Sequence, residues 1–206
     1  MSAVFEATLL PAWNDPVHDA QSTFRAVLKA LSEPGSIQTV VADIPFPAPL
    51  FLSTTALCLA LADVDTAMWL DVGANSAALN AYLRFHCGCR LVEDGKLATF
   101  AVMTDPLQLA GVNALEKFAI GTMEYPDRST TLFVQVPSLI DGPQRSLFGP
   151  GIAHQRVINV AGLPENFDAI WQKNIDQFPL GIDLIFCHGS QMMGLPRTTN
   201  IANWKP

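Results

Sequence analysis

The chain has 206 residues, of which 50% are hydrophobic and 15% are charged. These values are typical of a compact globular protein, and they exclude a disordered tail, a collagen-like repeat and a coiled coil. Acidic residues outnumber basic ones by 19 to 12, which gives a formal net charge of −7. Nucleic acids and anionic membrane surfaces are bound mainly through clustered Lys and Arg, so we expect neither as a partner. The length predicts one domain over residues 1–206.

One uncharged stretch, Ile44 to Ala62, is long enough to suggest a membrane span. Pro45, Pro47 and Pro49 fall in its first third, so a buried loop followed by a core helix is the better interpretation. Residues 1–11 lack the basic start and the long apolar run of a secretory signal, and we therefore expect a cytoplasmic protein. The four cysteines are predicted to remain thiols there.

The first half of the chain alternates helices with short strands. Asp15 to Leu31 has the period of an amphipathic helix, which Asp15 can cap and Ser32-Glu33-Pro34-Gly35 ends. Its predicted buried face consists of Phe24, Val27, Leu28 and Leu31. The next predicted elements are a strand at 37–41, a helix at 53–62, a strand at 67–70, a helix at 76–85 and a strand at 97–103.

The second half continues the alternation after a break at Asp105-Pro106. Its predicted elements are a helix at 106–118, a strand at 130–136, a strand at 145–148, a helix at 164–174 and strands at 182–187 and 191–195. Alternation of this kind predicts an α/β fold, a three-layer sandwich with helices on both sides of a mixed, largely parallel sheet.

Motifs that carry their own chemistry are absent from the sequence. It contains no phosphate-binding loop, dinucleotide fingerprint, nucleophile elbow or His-Glu-x-x-His zinc motif. Gly149-Pro150-Gly151 is predicted to be a chain turn, since Pro lacks the N–H group that a phosphate cradle uses. His86-Cys87-Gly88-Cys89 lacks a second ligand pair, so it predicts a helix end and no metal site. We identify no catalytic residue from these patterns.

A pyridoxal-phosphate enzyme would need a lysine in a buried position that can form an imine. All five lysines are predicted to be solvated surface groups, so no cofactor is expected. They are Lys29, Lys96, Lys117, Lys173 and Lys205.

Several polar residues stand in apolar surroundings. Asp183 interrupts the apolar run around Ile182 and Leu184, and a buried carboxylate needs a partner. Arg25 and Arg197 are both candidate partners, and the residues alone do not choose between them.

Seven segments in the same order resemble the PhnH family, which belongs to the bacterial carbon–phosphorus lyase system. The resemblance runs from about residue 15 to 200. The segments are Asp19 to Arg25 with Leu31 to Gly35, Leu61 to Thr66, Trp69-Leu70, Leu83 to His86, Gly149 to Ile152, Phe178 to Asp183 and Pro196 to Thr198.

The resemblance implies a fold like the large domain of pyridoxal-phosphate transferases, without the cofactor. It also implies a homodimer that joins the subunits G, I and J in a core complex for phosphonate catabolism. With G, I and the ATP-binding-cassette protein L, such a chain is needed to transfer a phosphonate to the ribose of ATP with release of adenine. The product is a ribose 1-phosphonate 5-triphosphate.

The excess of negative charge makes this chain poorly suited to bind a phosphonate and a triphosphate alone. We therefore predict an accessory or structural subunit, whose apolar patches at 44–52 or around Met192-Met193 pack against a partner, and leave open whether it is itself an enzyme. The alternative is a ligand-binding subunit with a phosphonate or nucleotide site at its homodimer interface. The candidate ligand-binding residues are Arg25, Arg84, His86, Asp183 and Arg197.

Overall fold

A computed structural model describes residues 9–111 and 113–202. Ten strands lie within these residues, and seven of them form one sheet in the order β1-β9-β8-β5-β4-β2-β3. The strands are β1 (Ile37–Thr39), β2 (Ala67–Leu70), β3 (Arg90–Val92), β4 (Phe100–Met103), β5 (Thr131–Gln135), β6 (Arg145–Phe148), β7 (Arg156–Ile158), β8 (Asp183–His188), β9 (Gln191–Leu195) and β10 (Asn200–Ala202).

The described residues contain four α-helices, which are α1 (Pro16–Ser32), α2 (Leu52–Leu61), α3 (Ala77–His86) and α4 (Phe167–Ile175). The predicted start of α1 is confirmed, because the Asp15 side chain accepts a hydrogen bond from the backbone N–H of His18 and Pro16 occupies the first helical position. Ser76 caps α3 in the same way through the N–H of Leu79.

Two apolar cores lie on opposite faces of the large sheet, as expected of an α/β sandwich. The first core packs Val27 of α1, Leu57 of α2 and Leu83 of α3 against one face. The second packs Trp171 of α4 and Phe118 against the other. Strand residues alternate between the two cores, as the period of two requires.

The large sheet is mixed and mostly parallel, as predicted. Strands β3, β2, β4, β5 and β8 are parallel to one another. Strand β9 pairs antiparallel with β8, and β1 pairs antiparallel with β9. From β2 the chain passes through α3 to β3, the neighbour of β2 towards one edge of the sheet. From β4 it passes to β5, the neighbour of β4 towards the opposite edge. The carboxyl ends of β2 and β4 therefore flank the point where the direction of winding reverses, which is where α/β proteins bind ligands.

Three strands that the sequence did not predict are short. Strand β3 lies at an edge of the large sheet, and β7 and β10 flank β6 in a separate antiparallel sheet. Each has three residues, too few for a pattern of alternating hydrophobicity to stand out.

The predicted helix at 106–118 is wrong. A 3-10 helix covers Pro106–Ala110 and turns follow at 113–117. The predicted buried face of α1 is also wrong in part, because Phe24 and Leu28 are exposed whereas Thr23, Val27 and Ala30 are buried. The helix packs its small residues onto α2 and β9, and Gly194 of β9 comes so close that a Cβ there would lie 2.4 Å from the carbonyl oxygen of Ala30.

The stretch from Ile44 to Ala62 forms a loop followed by helix α2, as predicted. Gln135, at the carboxyl end of β5, holds the loop: its side-chain oxygen accepts from Phe51 N at 2.6 Å and from Thr54 Oγ1 at 2.9 Å. Its amide donates to the carbonyl oxygen of Pro49 at 3.1 Å. No helix of the described residues is long and apolar enough to cross a membrane.

Two segments of the family resemblance contact each other although they are far apart in sequence. Gly151 has a φ of +81°, and a Cβ there would lie 2.0 Å from the carbonyl oxygen of Ser32. Arg156 donates from Nη1 to the carbonyl oxygens of Glu33 and Pro34, both at 2.8 Å. The predicted turn at 149–151 is thus packed against the end of α1, and only glycine fits at 151.

Candidate functional site

Asp71 follows β2 directly at the winding reversal and is fully buried. Its carboxylate accepts from the backbone N–H of Ala74 at 2.8 Å and of Thr104 at 2.7 Å. The hydroxyl of Thr104 and the side-chain amide of Gln108 also donate to it, the amide at 2.9 Å. These hydrogen bonds compensate for the loss of water around a buried charge. Asp71 thereby joins the carboxyl ends of β2 and β4.

A lysine lies near this carboxylate. Lys117 places its Nζ 4.7 Å from the ring centre of Trp69 and 5.2 Å from that of Phe118, which is cation–π geometry. Burial lowers the pKa of the Lys117 ammonium, while the Asp71 carboxylate acts in the opposite direction. The prediction that Lys117 is a solvated surface group is therefore wrong, because the turn at 113–117 folds it over Trp69. Lys205 lies outside the described residues.

A polar groove of about 370 Å³ lies between α3 and the carboxyl ends of β2 and β3. We call it the Arg84 groove. Trp69 donates from Nε1 to the backbone oxygen of Glu93 at 3.1 Å, and Asn80 donates to the side-chain oxygen of Asn75 at 2.8 Å. The residues that matter for its chemistry are Trp69, Val72, Asn75, Asn80, Arg84 and Glu93.

Asp183 and Arg197 form an ion pair, so the structure selects Arg197 as the partner of Asp183. Arg197 Nη2 lies 2.5 Å from Asp183 Oδ2, and its Nε and backbone N donate to Oδ1 at 3.1 and 2.8 Å. The guanidinium also donates to the carbonyl oxygen of Pro126 at 3.0 Å and to the Ser129 hydroxyl. We call this arrangement the Arg197 clasp. It lies at the amino end of β8, opposite to the edge that carries Asp71.

His86 and Arg25 occupy other parts of the molecule. His86 Nε2 lies 2.9 Å from the carbonyl oxygen of Leu10, and its ring packs 4.5 Å from that of Tyr82. Burial raises the pKa of the Tyr82 hydroxyl to about 12, so this residue stays neutral beside the imidazole. Arg25 is exposed on α1 and forms no ion pair within residues 9–111 and 113–202.

The five predicted ligand-binding residues thus form no single site. Asp183 and Arg197 contact each other, and Arg84 and His86 share α3, but the two pairs lie in separate regions. Sequence reasoning missed Asp71, Glu93 and Lys117. Only Asp71 had a usable signal, because it directly follows the predicted strand at 67–70 and polar residues at the carboxyl ends of parallel strands are candidate ligand contacts. Glu93 follows β3, which the sequence did not predict.

The cysteines and the two adjacent methionines of β9 are buried in this fold. All four thiols are free and buried, and α3 ends at His86 as predicted for that cluster. Within the described residues no group of His, Cys, Asp and Glu is arranged to hold a metal ion. Met192 and Met193 are buried in the two cores, so the prediction of an exposed patch there is wrong. In the 44–52 segment Ile44 and Leu50 are buried but Phe46 is 48% exposed, so a contact surface there stays a prediction.

The fold and the site define an α/β protein whose sheet carries a buried, fully hydrogen-bonded carboxylate and a polar groove at its carboxyl edge. The family model described as "Bacterial phosphonate metabolism protein (PhnH)" matches residues 11–202. The chain therefore belongs to the PhnH family.

Two curated relatives cover most of the chain. The "Alpha-D-ribose 1-methylphosphonate 5-triphosphate synthase subunit PhnH" of Rhizobium meliloti (strain 1021) is 37% identical over 190 residues, 92% of this chain and 94% of the relative. The "Putative C-P lyase subunit protein HtxG" of Stutzerimonas stutzeri is 32% identical over 191 residues, 88% of this chain and 85% of the relative.

Proposed function

We propose that this chain is a subunit of the complex that makes ribose 1-phosphonate 5-triphosphate in carbon–phosphorus bond cleavage. The observation that carries the proposal is the 37% identity over 92% of the chain to a relative named as a subunit of that synthase. The proposed reaction, with the subunits G, I and L, transfers a phosphonate to the ribose of ATP and releases adenine. The four free thiols suit a reducing compartment, so the proposal places the complex in the cytoplasm.

The role that we propose within the complex is accessory. Asp71, the carboxylate at the winding reversal, is buried and saturated by donors, so it is not positioned to exchange protons with a substrate. Three of the arginines are occupied by the protein itself: Arg145 by Asp168, Arg197 by Asp183, and Arg156 by backbone carbonyl oxygens. Among the described residues the Arg84 groove is lined by a single cation, Arg84, whereas a triphosphate needs several.

Co-expression with the subunits G, I and J tests this proposal. We expect the chain to co-elute when the I protein carries the affinity tag, and we expect adenine release from ATP and methylphosphonate by G, I and L to require it. Adenine release by the isolated chain, or failure to co-elute, would contradict the accessory role.

A homodimer is part of the proposal and is tested by sedimentation of the isolated chain, whose monomer mass is 22.3 kDa. We expect twice that mass. The exposed arginines Arg25 and Arg84 favour the second candidate function, an anion site shared between two copies. That candidate predicts that an alkylphosphonate or ATP strengthens the dimer, and a dimer indifferent to both ligands would argue against it.

We also propose that the fold is like that of the large domain of pyridoxal-phosphate transferases and that the chain does not bind pyridoxal phosphate. Adding the cofactor to the isolated chain should produce no imine absorbance band. A stable band that disappears in Lys117→Ala would show instead that the half-buried lysine accepts it.

A further inference from the structure

The Arg84 groove lies in a strand–helix–strand unit made of β2, α3 and β3, three consecutive elements of which the two strands are parallel and adjacent. In dinucleotide-binding folds an acidic residue near the end of the second strand of such a unit hydrogen-bonds the ribose hydroxyls. Glu93 is the first residue after β3 and lines the groove. Its side chain accepts no hydrogen bond from the described residues, and its position is held by the Trp69 bond to its backbone oxygen.

Arg84 lies on the helical wall of the same groove. It forms no ion pair with any residue in the described part of the chain, and its separation from Glu93 exceeds the 4.0 Å limit of such a pair. A guanidinium presents two parallel N–H groups that match the oxygens of a phosphate or phosphonate. Arg84 is exposed to the groove and has no acidic partner there among the described residues, so its guanidinium is free to hydrogen-bond an oxyanion.

The remaining lining residues suit a sugar. Asn75 and Asn80 supply amide groups, and Trp69 supplies an apolar wall. The volume of about 370 Å³ lies within the range of small-molecule sites, roughly 300–1,000 Å³. Other clefts of the described residues have volumes of about 320 and 520 Å³, so the lining residues and not the size distinguish the Arg84 groove.

We propose that the Arg84 groove binds a phosphorylated ribose, with the phosphate or phosphonate oxygens at Arg84 and the sugar hydroxyls at Glu93. The separation of a cation from an acid on opposite walls favours a ligand that carries an anion at one end and hydroxyl groups at the other. The inference deepens the proposed function and rests on it for the choice of ribose among polyols.

Titration of the isolated chain with ribose 5-phosphate and with inorganic phosphate, followed by ³¹P NMR, tests the inference. We expect ribose 5-phosphate to bind about tenfold more tightly than phosphate, the effect of one hydrogen bond to a charged group. Arg84→Ala should weaken both ligands about tenfold or more, and Arg84→Lys should weaken them less. Glu93→Gln should remove the preference for the sugar without weakening phosphate.

Arg128→Ala and Glu116→Gln are matched controls, because both residues are exposed and neither lines the groove. Val72→Asp is a second groove variant: Val72 is 94% exposed, so the fold tolerates the change while the new charge repels the anion. The inference is overturned if the wild-type chain binds neither ligand, if Arg128→Ala weakens binding as much as Arg84→Ala, or if Glu93→Gln keeps the preference. Co-elution with the subunits G, I and J is measured as well, so a wild-type chain that co-elutes but binds neither ligand overturns this inference and leaves the proposed function intact.

Discussion

The Arg197 clasp is predicted to hold the fold together, and Arg197→Ala measures its contribution. The substitution removes two side-chain hydrogen bonds to Asp183 and leaves the carbonyl oxygen of Pro126 and the hydroxyl of Ser129 without their donor. The two side chains are only 12% and 21% exposed, so water replaces the lost donors poorly.

The magnitude follows from these contacts. Hydrogen bonds to charged groups contribute roughly 1.5–3 kcal/mol each, and the loss of one partner of a buried ion pair costs about 3–5 kcal/mol. Asp183 keeps the backbone N–H of Arg197 at 2.8 Å and some contact with water, which places the expected loss near the lower end, at about 3–4 kcal/mol. For a chain of this size that loss lowers Tm by about 6–16 °C.

Urea unfolding of Arg197→Ala, Asp183→Ala and the double variant provides the assay. The double-mutant cycle should return a coupling energy of about 2 kcal/mol between the two residues. Arg25→Ala is the matched control, and its free energy of unfolding should change by less than about 0.5 kcal/mol, because Arg25 is exposed on α1. If each single variant loses less than about 1 kcal/mol of unfolding free energy and the two losses are additive, the structural role is refuted. Arg197 would then again be a candidate for binding an anion.

Three further predictions concern stability. Gly151→Ala should lower the free energy of unfolding by about 2–4 kcal/mol, because the residue has a positive φ and its Cβ would overlap the carbonyl oxygen of Ser32; a neutral effect in urea unfolding would contradict this packing. Asp71→Asn should lower the free energy of unfolding by about 3 kcal/mol, because the new NH₂ group faces donors such as the N–H of Thr104. A melting temperature equal to that of the wild type would contradict this hydrogen-bond network. Burial raises the pKa of Cys187 from its ordinary 9.0 to about 12, so stability is complete below pH 9 and falls by up to about 1.4 kcal/mol per pH unit above it as the unfolded thiol ionises. The free energy of unfolding of Cys187→Ala, measured with urea, should fall less steeply from about pH 9 to 11 than that of the wild type. An unchanged slope would contradict the raised pKa of Cys187.

Local sequence patterns were sufficient to predict most strands of the large sheet and the helices that pack on it. Strands β2, β4, β5, β8 and β9 have apolar runs strong enough to be recognised one at a time, and α1 has a cap, a period and a stop signal of its own. Strands β3, β7 and β10 have three residues each and exist because a neighbouring strand offers hydrogen bonds, which is information from elsewhere in the chain.

The buried face of α1 illustrates the same limit. Its period was clear, but Phe24 and Leu28 face solvent because α1 approaches β9 so closely that only small residues fit between them. Sequence periodicity reports that a helix has an apolar side, whereas the distance to the neighbouring strand decides which residues fill it.

Local patterns and the order of short segments were enough to establish the α/β class, the absence of ready-made catalytic motifs and the family. The pairing of Asp183 with Arg197 rather than Arg25, and the position of Arg84 opposite Glu93 across a groove at the other edge of the sheet, emerged from the folded chain alone. An ion pair or a binding groove is made of residues from different elements, and their separation in space follows from strand order, which no single segment contains.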